Sequence, residues 1–169
     1  MNAHNLQIRL LTPDDAPRYR DIRLDSLRQN PEAFASTFER ENTMPLPWFE
    51  ERIVKGNIFG AFAGGELLGV AGYWPQEGAK VSHKAGFWGM YVRKPARRSG
   101  LGQRLVEAVV NHASKRVEQI QLCVASDNEP AHKLYLKAGF SEYGREIKAL
   151  KQDGRYFDEI LMVRFLARN

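Results

Sequence analysis

The chain has 169 residues, 43% hydrophobic and 27% charged, with 25 Lys+Arg against 20 Asp+Glu for a net charge of +5. That length suits one domain with one core, and the near-average composition excludes a disordered, collagenous or low-complexity protein. A lone Cys123 offers no internal disulfide, and Met1 to Leu6 lacks the apolar centre of a secretion signal, so a reduced, cytoplasmic, soluble protein without a membrane span is expected.

The alternation of Gln7 to Leu11 predicts a short strand that stops at Thr12-Pro13-Asp14-Asp15. Thr12 is suited to cap a helix from Pro13 to Gln29, which Asn30-Pro31 ends. Glu32 to Pro47 has weak periodicity and reads as loop with helical fragments, followed by a second helix from Pro47 to Val54. Asn57 to Ala63 and Glu66 to Trp74 flank Gly64-Gly65, a hairpin signal because primed turns need positive φ. Lys84 to Val92 is a third strand.

From Leu101, the residues Leu105, Ala108, Val109 and His112 recur at helical spacing. Gln119 to Ala125 reads as a buried strand in which Cys123 is a small hydrophobe. Ala131, Leu134, Tyr135 and Ala138 mark another helix, stopped by Gly139. Ser141 to Leu150 and Arg155 to Leu166 flank Asp153-Gly154, a second hairpin signal. The order implies an α/β fold on a mixed, mostly antiparallel sheet of about six to seven strands with about four helices.

Arg93, Lys94, Arg97 and Arg98 hold most of the excess charge, leaving the rest of the chain at +1. They lead into Arg97-Arg98-Ser99-Gly100-Leu101-Gly102-Gln103, between a strand and a helix. Two glycines let successive N–H groups converge, and the helix N-terminus directs unpaired donors and its positive dipole end at the same point. Such a loop suits a phosphate, although a Gly-x-Gly also serves as a simple turn. The dinucleotide and P-loop readings fail, for lack of a third glycine and of Lys-Ser/Thr.

Tyr91-Val92, Pro95 and Arg97-x-x-Gly100-x-Gly102, followed by Asn128, Ala131, Leu134-Tyr135 and Gly139-Phe140, resemble the coenzyme A-binding segment of the GNAT acyltransferase superfamily. The clear likeness covers Phe87 to Phe140. It implies a single N-acetyltransferase domain over residues 1–169, with the acyl-CoA-binding core at about 87–140. It further implies that Lys84 to Val92 splays from Gln119 to Ala125 and that pantetheine lies between them, bonded by backbone at Met90, Tyr91 and Val92. Gly86 and Gly89 are compatible with a bulge there.

By the same resemblance, Asn128 meets the pantetheine, and Tyr135 is the catalytic group at the sulfur. The residues themselves also allow Asn128 as a helix cap and Tyr135 as a core aromatic. The implied activity is acetyl transfer from acetyl-CoA, as cosubstrate and without a metal, to a small-molecule amine or a protein amino group by direct attack in a ternary complex. An amide N–H at Val92 or its neighbour would polarise the carbonyl.

No base is evident: Phe87 to Tyr91 carries no carboxylate, and Glu39, Glu41, Asp158 and Glu159 read as ordinary exposed groups. His4, His83, His112 and His132 lack metal-ligand spacing. Trp48, Trp74, Trp88, Phe34 and Phe38 suit packing as well as a pocket wall. The rival classes are a non-catalytic acyl-CoA sensor and a nucleic-acid binder using the Arg93 to Arg98 cluster. Nucleic acid is not the expected partner; a homodimer is compatible with the family.

Overall fold

A computed structural model gives the fold of residues 6–166; His4 and Met1 to Asn5 of the N-terminal segment lie outside the described residues. β1 (Leu6–Leu10) leads through a 3-10 turn at Pro13–Asp15 into α1 (Ala16–Gln29). The Asp15 carboxylate accepts the Thr12 N–H at 2.9 Å, closing the entry to that turn. Between α1 and α3 (Leu46–Gly56) lie a 3-10 turn at Pro31–Ala33 and the short α2 (Phe38–Asn42), in keeping with helical fragments in loop.

β2 (Phe59–Ala63) and β3 (Glu66–Pro75) form the first hairpin, with Gly64 and Gly65 both at positive φ (58° and 84°). β4 (Lys84–Val92), α4 (Leu101–Ala113), β5 (Gln119–Ala125) and α5 (Glu129–Lys137) follow. The long hairpin β6 (Ser141–Gln152) and β7 (Arg155–Phe165) closes the described fold, turning at Asp153 and Gly154 (φ 48° and 79°).

Among the described residues the sheet has seven strands in the order β1-β2-β3-β4-β5-β7-β6. Every neighbouring pair is antiparallel except β4 and β5. Two apolar layers cover it. Tyr19, Ile22, Phe49 and Ile53 of α1 and α3 pack with Ile58, Phe62 and Val70 on one face. Leu105, Val106 and Val109 of α4 and Tyr135 of α5 pack with Phe59, Tyr73, Ile120 and Met162 on the other. Each fully buried side chain of this size contributes about 1.5–3 kcal/mol.

Cys123 departs from expectation: it is exposed. Its neighbours Leu122 and Val124 point into the α4/α5 layer and are buried, so Cys123 takes the opposite face of β5. An apolar run that reads as buried on both faces is covered on only one. No helix among the described residues is long and apolar enough to cross a membrane.

Candidate active site

β4 and β5 pair only at Lys84, Ala85 and Gly86 against Gln119, Ile120 and Gln121. Beyond Gly86, β4 continues along β3 while β5 continues along β7, and the two parallel strands part. A bulge accompanies the parting: Val70 faces Tyr91 and Gly72 faces Trp88, leaving Gly89 and Met90 opposite Ala71. Gly89 has φ 65°, a conformation that side chains disfavour. Gly86 has another task, since a Cβ there would come within 3.0 Å of the Trp74 indole.

A cavity of about 900 Å³ occupies the split and has walls on both faces of the sheet. Phe87, Met90, Asn128 and Tyr135 line the part beside α5, and Trp48, Arg52, Trp88, Cys123 and Glu159 the part beside α3 and β7. The fold thus joins three of the residues selected from sequence, Met90, Asn128 and Tyr135, in one space.

Asn128 caps α5, its Oδ1 accepting the Ala131 N–H at 3.3 Å. The capping reading therefore holds, and the residue still borders the cavity. Tyr135 is buried with its ring edge-on to Phe87 and Phe140, at 5.7 and 5.9 Å between centroids, so it is a core aromatic whose residue also borders the cavity. Burial pushes its phenol well above the usual value of 10.0.

The glycine loop stands at the end of β4. Gly100, at φ 81°, precedes α4, and Arg104 N–H donates to Gly100 O at 3.2 Å. The N–H groups of Leu101, Gly102 and Gln103 are those a helix start leaves without intrahelical acceptors. A Cβ on Gly100 would meet open space, whereas one on Gly102 would lie 3.2 Å from Met90 Cε and 3.3 Å from Leu134 Cδ2. Gly102 therefore joins the loop to the cavity wall. Ser99 Oγ donates to Ala96 O at 2.7 Å, and Arg98 is exposed with φ 62°.

Arg97 Nε donates to Val92 O at 2.9 Å, with its Nη2 donating to Asn30. Arg93 N–H donates to Leu68 O on β3, so alternation turns the Val92 amide to the opposite edge, toward the split. Two of the sequence candidates keep their side chains elsewhere: Tyr91 donates to Asp25 from the α1/α3 layer, and Leu101 is buried beneath α4. Only their backbone groups are available to a ligand. Arg93 is likewise engaged, by Asp21 and Asp25, which reduces the basic cluster.

Several features in and around the cavity escaped the sequence reading or were undervalued by it. Glu159 is part-buried, and burial together with the facing Glu146 pushes its carboxyl above the usual 4.5. Asp158, its neighbour, is tied to Arg145 at 2.9 Å. Glu41 is buried with Arg23, accepting at 2.8 and 2.7 Å. Cys123 is exposed, yet the partial desolvation of its thiol, reinforced by Glu159 and Glu146, pushes that thiol up. Trp48, Trp74 and Trp88 all border the cavity, as does Phe34, while Phe38 does not.

The pattern of the family described as Acetyltransferase (GNAT) family matches residues 19–140. The L-amino acid N-acetyltransferase AaaT of Escherichia coli K12 is 28% identical over 147 residues, covering 83% of this chain and 90% of that protein. An L-methionine sulfoximine/L-methionine sulfone acetyltransferase of Pseudomonas aeruginosa is 32% identical over 125 residues, 68% of this chain and 69% of its own. The solved structure of yncA from Salmonella typhimurium with its cofactor acetyl-CoA superposes with a TM-score of 0.81 at 17% identity, over 98% of this chain and 96% of that one. This last likeness is one of fold.

Proposed function

The chain belongs to the GNAT acetyltransferase family, whose acyl donor is acetyl-CoA, and from that premise we propose that it acetylates a primary amine by direct attack in a ternary complex. The observation that carries the reading is the early end of β4–β5 pairing at Gly86 and Gln121, which opens the cavity bordered by Asn128 and Tyr135.

In this reading the N–H groups of Leu101, Gly102 and Gln103 take the diphosphate, with Arg97, Arg98 and Ser99 around it and Gly100 leaving room. Backbone groups of Met90, Tyr91 and Val92 and the Asn128 amide align the pantetheine. The Val92 N–H faces the split and polarises the thioester carbonyl as negative charge develops on its oxygen.

Tyr135 serves the departing sulfur as a hydrogen-bond donor. A free phenol titrates at about 10 and a thiol at about 8.5, so full proton transfer between them is uphill by roughly 2 kcal/mol. Burial of Tyr135 makes it more so. The phenol therefore stabilises the thiolate without ionising.

Two protons must leave the ammonium as the N–C bond forms and the C–S bond breaks. Glu159, a carboxylate held above its usual range in the same cavity, accepts one, directly or through water, and passes it to solvent. The other ends on the thiolate. Cys123 also lines the cavity, but its raised thiol disfavours the thiolate that a covalent route needs. The names of the amino-acid-acetylating relatives favour a small-molecule acceptor over a protein amino group.

The test is release of free thiol from acetyl-CoA with a panel of primary amines, followed as initial rates against both substrates. Intersecting double-reciprocal lines are expected. Parallel lines, or an acetylated Cys123 trapped by rapid quench, contradict direct attack.

A further inference from the structure

Arg52, on α3, lies between two indoles, with its guanidinium carbon 4.6 Å from the Trp48 ring centroid and 4.7 Å from that of Trp88. Its Nε is buried and makes no hydrogen bond among the described residues. A cation–π contact attracts the charge of a guanidinium but supplies no oxygen acceptor to its N–H donors. A buried donor without an acceptor is costly and calls for an explanation. Arg52 lines the same cavity as Tyr135 and Met90.

The neighbouring charges leave Arg52 in excess. Arg23, also at the wall, donates from Nε and Nη2 to Glu41, and Lys55 is paired with Glu51 at the exposed rim. Arg52 interacts with the Tyr19 hydroxyl and with the charge of Glu41, yet Arg23, Arg52 and Glu41 together still carry one positive charge. Trp88 Nε1 is a second buried donor without a partner among the described residues, but it lies over Gly72, where a Cβ would be 3.1 Å away, and so it faces the sheet.

We propose that Arg52 is the carboxylate-recognising residue of the acceptor site, and that the acceptor is a free α-amino acid whose α-carboxylate meets the guanidinium. The assignment rests on the reading of the cavity as an acetyltransferase site. The cation–π contacts with Trp48 and Trp88 hold the guanidinium in place, so a carboxylate is received at little conformational cost. The flanking indoles and Phe34 offer apolar surface to the remainder of the acceptor.

The experiment compares the common L-amino acids with their α-amides as acceptors, measuring thiol release by the wild type, Arg52→Gln and Arg52→Lys. For the best amino acid, kcat/KM is expected to exceed that of its amide by about ten- to hundredfold, the range of a hydrogen-bonded charge. Arg52→Gln is expected to erase that preference by losing far more on the acid than on the amide, with no more than a small change in the KM for acetyl-CoA. Arg52→Lys is expected to restore part of it.

Equal use of acids and amides by the wild type, or equal loss on both in Arg52→Gln, overturns the assignment while the acetyltransferase reading stands. No thiol release with either series from protein that binds acetyl-CoA overturns both.

Discussion

Arg97 closes the end of β4 onto the glycine loop: its Nε donates to the carbonyl of Val92 at 2.9 Å. One residue thus holds the loop against the strand end and keeps a cation beside the start of α4. Arg97→Ala is expected to raise the KM for acetyl-CoA about tenfold, the worth of a charge-assisted hydrogen bond, with little change in melting temperature because the side chain is exposed. Steady-state kinetics at saturating acceptor, with a thermal melt, measure both; an unchanged KM removes Arg97 from donor binding.

Tyr135→Phe is expected to lower kcat more than it weakens acetyl-CoA binding, since the phenol acts on the leaving sulfur. Burial holds that phenol above 10.0, so it stays protonated below this pH and contributes no basic limb to the pH–rate profile. Equal kcat in the two enzymes excludes Tyr135 from the chemistry.

Glu159→Gln is expected to reduce kcat by about a hundredfold, the scale of a positioned base. Wild-type activity should fall on the acid side through a pKa above 4.5, and the variant should lose that limb. The stability sign is opposite. A carboxyl raised in the folded state disfavours folding once it is charged, so the neutral variant should melt no lower than wild type at pH 7. A variant that keeps its kcat and acid limb assigns the proton to another acceptor.

Glu41→Gln should cost about 3 kcal/mol in urea unfolding, because it leaves the buried Arg23 without its counterion. Burial pushes the Glu41 carboxyl up, but the hydrogen bonds and charge of Arg23 outweigh this and hold it below 4.5. The stabilisation is therefore present above the unfolded value and lost as pH falls through the folded one. The gap between wild type and variant should narrow on acidification; a constant gap contradicts a charge origin.

The sequence was most legible where structure is local. Gly64-Gly65 and Asp153-Gly154 specify positive φ at both turn positions, and the hairpins form there. The bounds of β4 and β5 and the stop at Gly139 followed from period and glycine position, and of the two glycines compatible with a bulge only Gly89 lies in one. What depended on distant pairing was not legible. Glu159 reaches the cavity because β7 returns beside β5, and Cys123 is exposed because one face of β5 lacks a helical cover. Glu41 is buried by an arginine 18 positions away, and Arg52 meets Trp88 across the α3–sheet contact. The signals were single residues without a pattern.

The most direct test is a crystal structure of the protein with acetyl-CoA. Diphosphate oxygens bonded to the N–H groups of Leu101, Gly102 and Gln103, with pantetheine between β4 and β5 and its sulfur beside Tyr135, are the predicted result. Strands closed beyond Gly86 and Gln121, with the thioester bound elsewhere, would contradict the account.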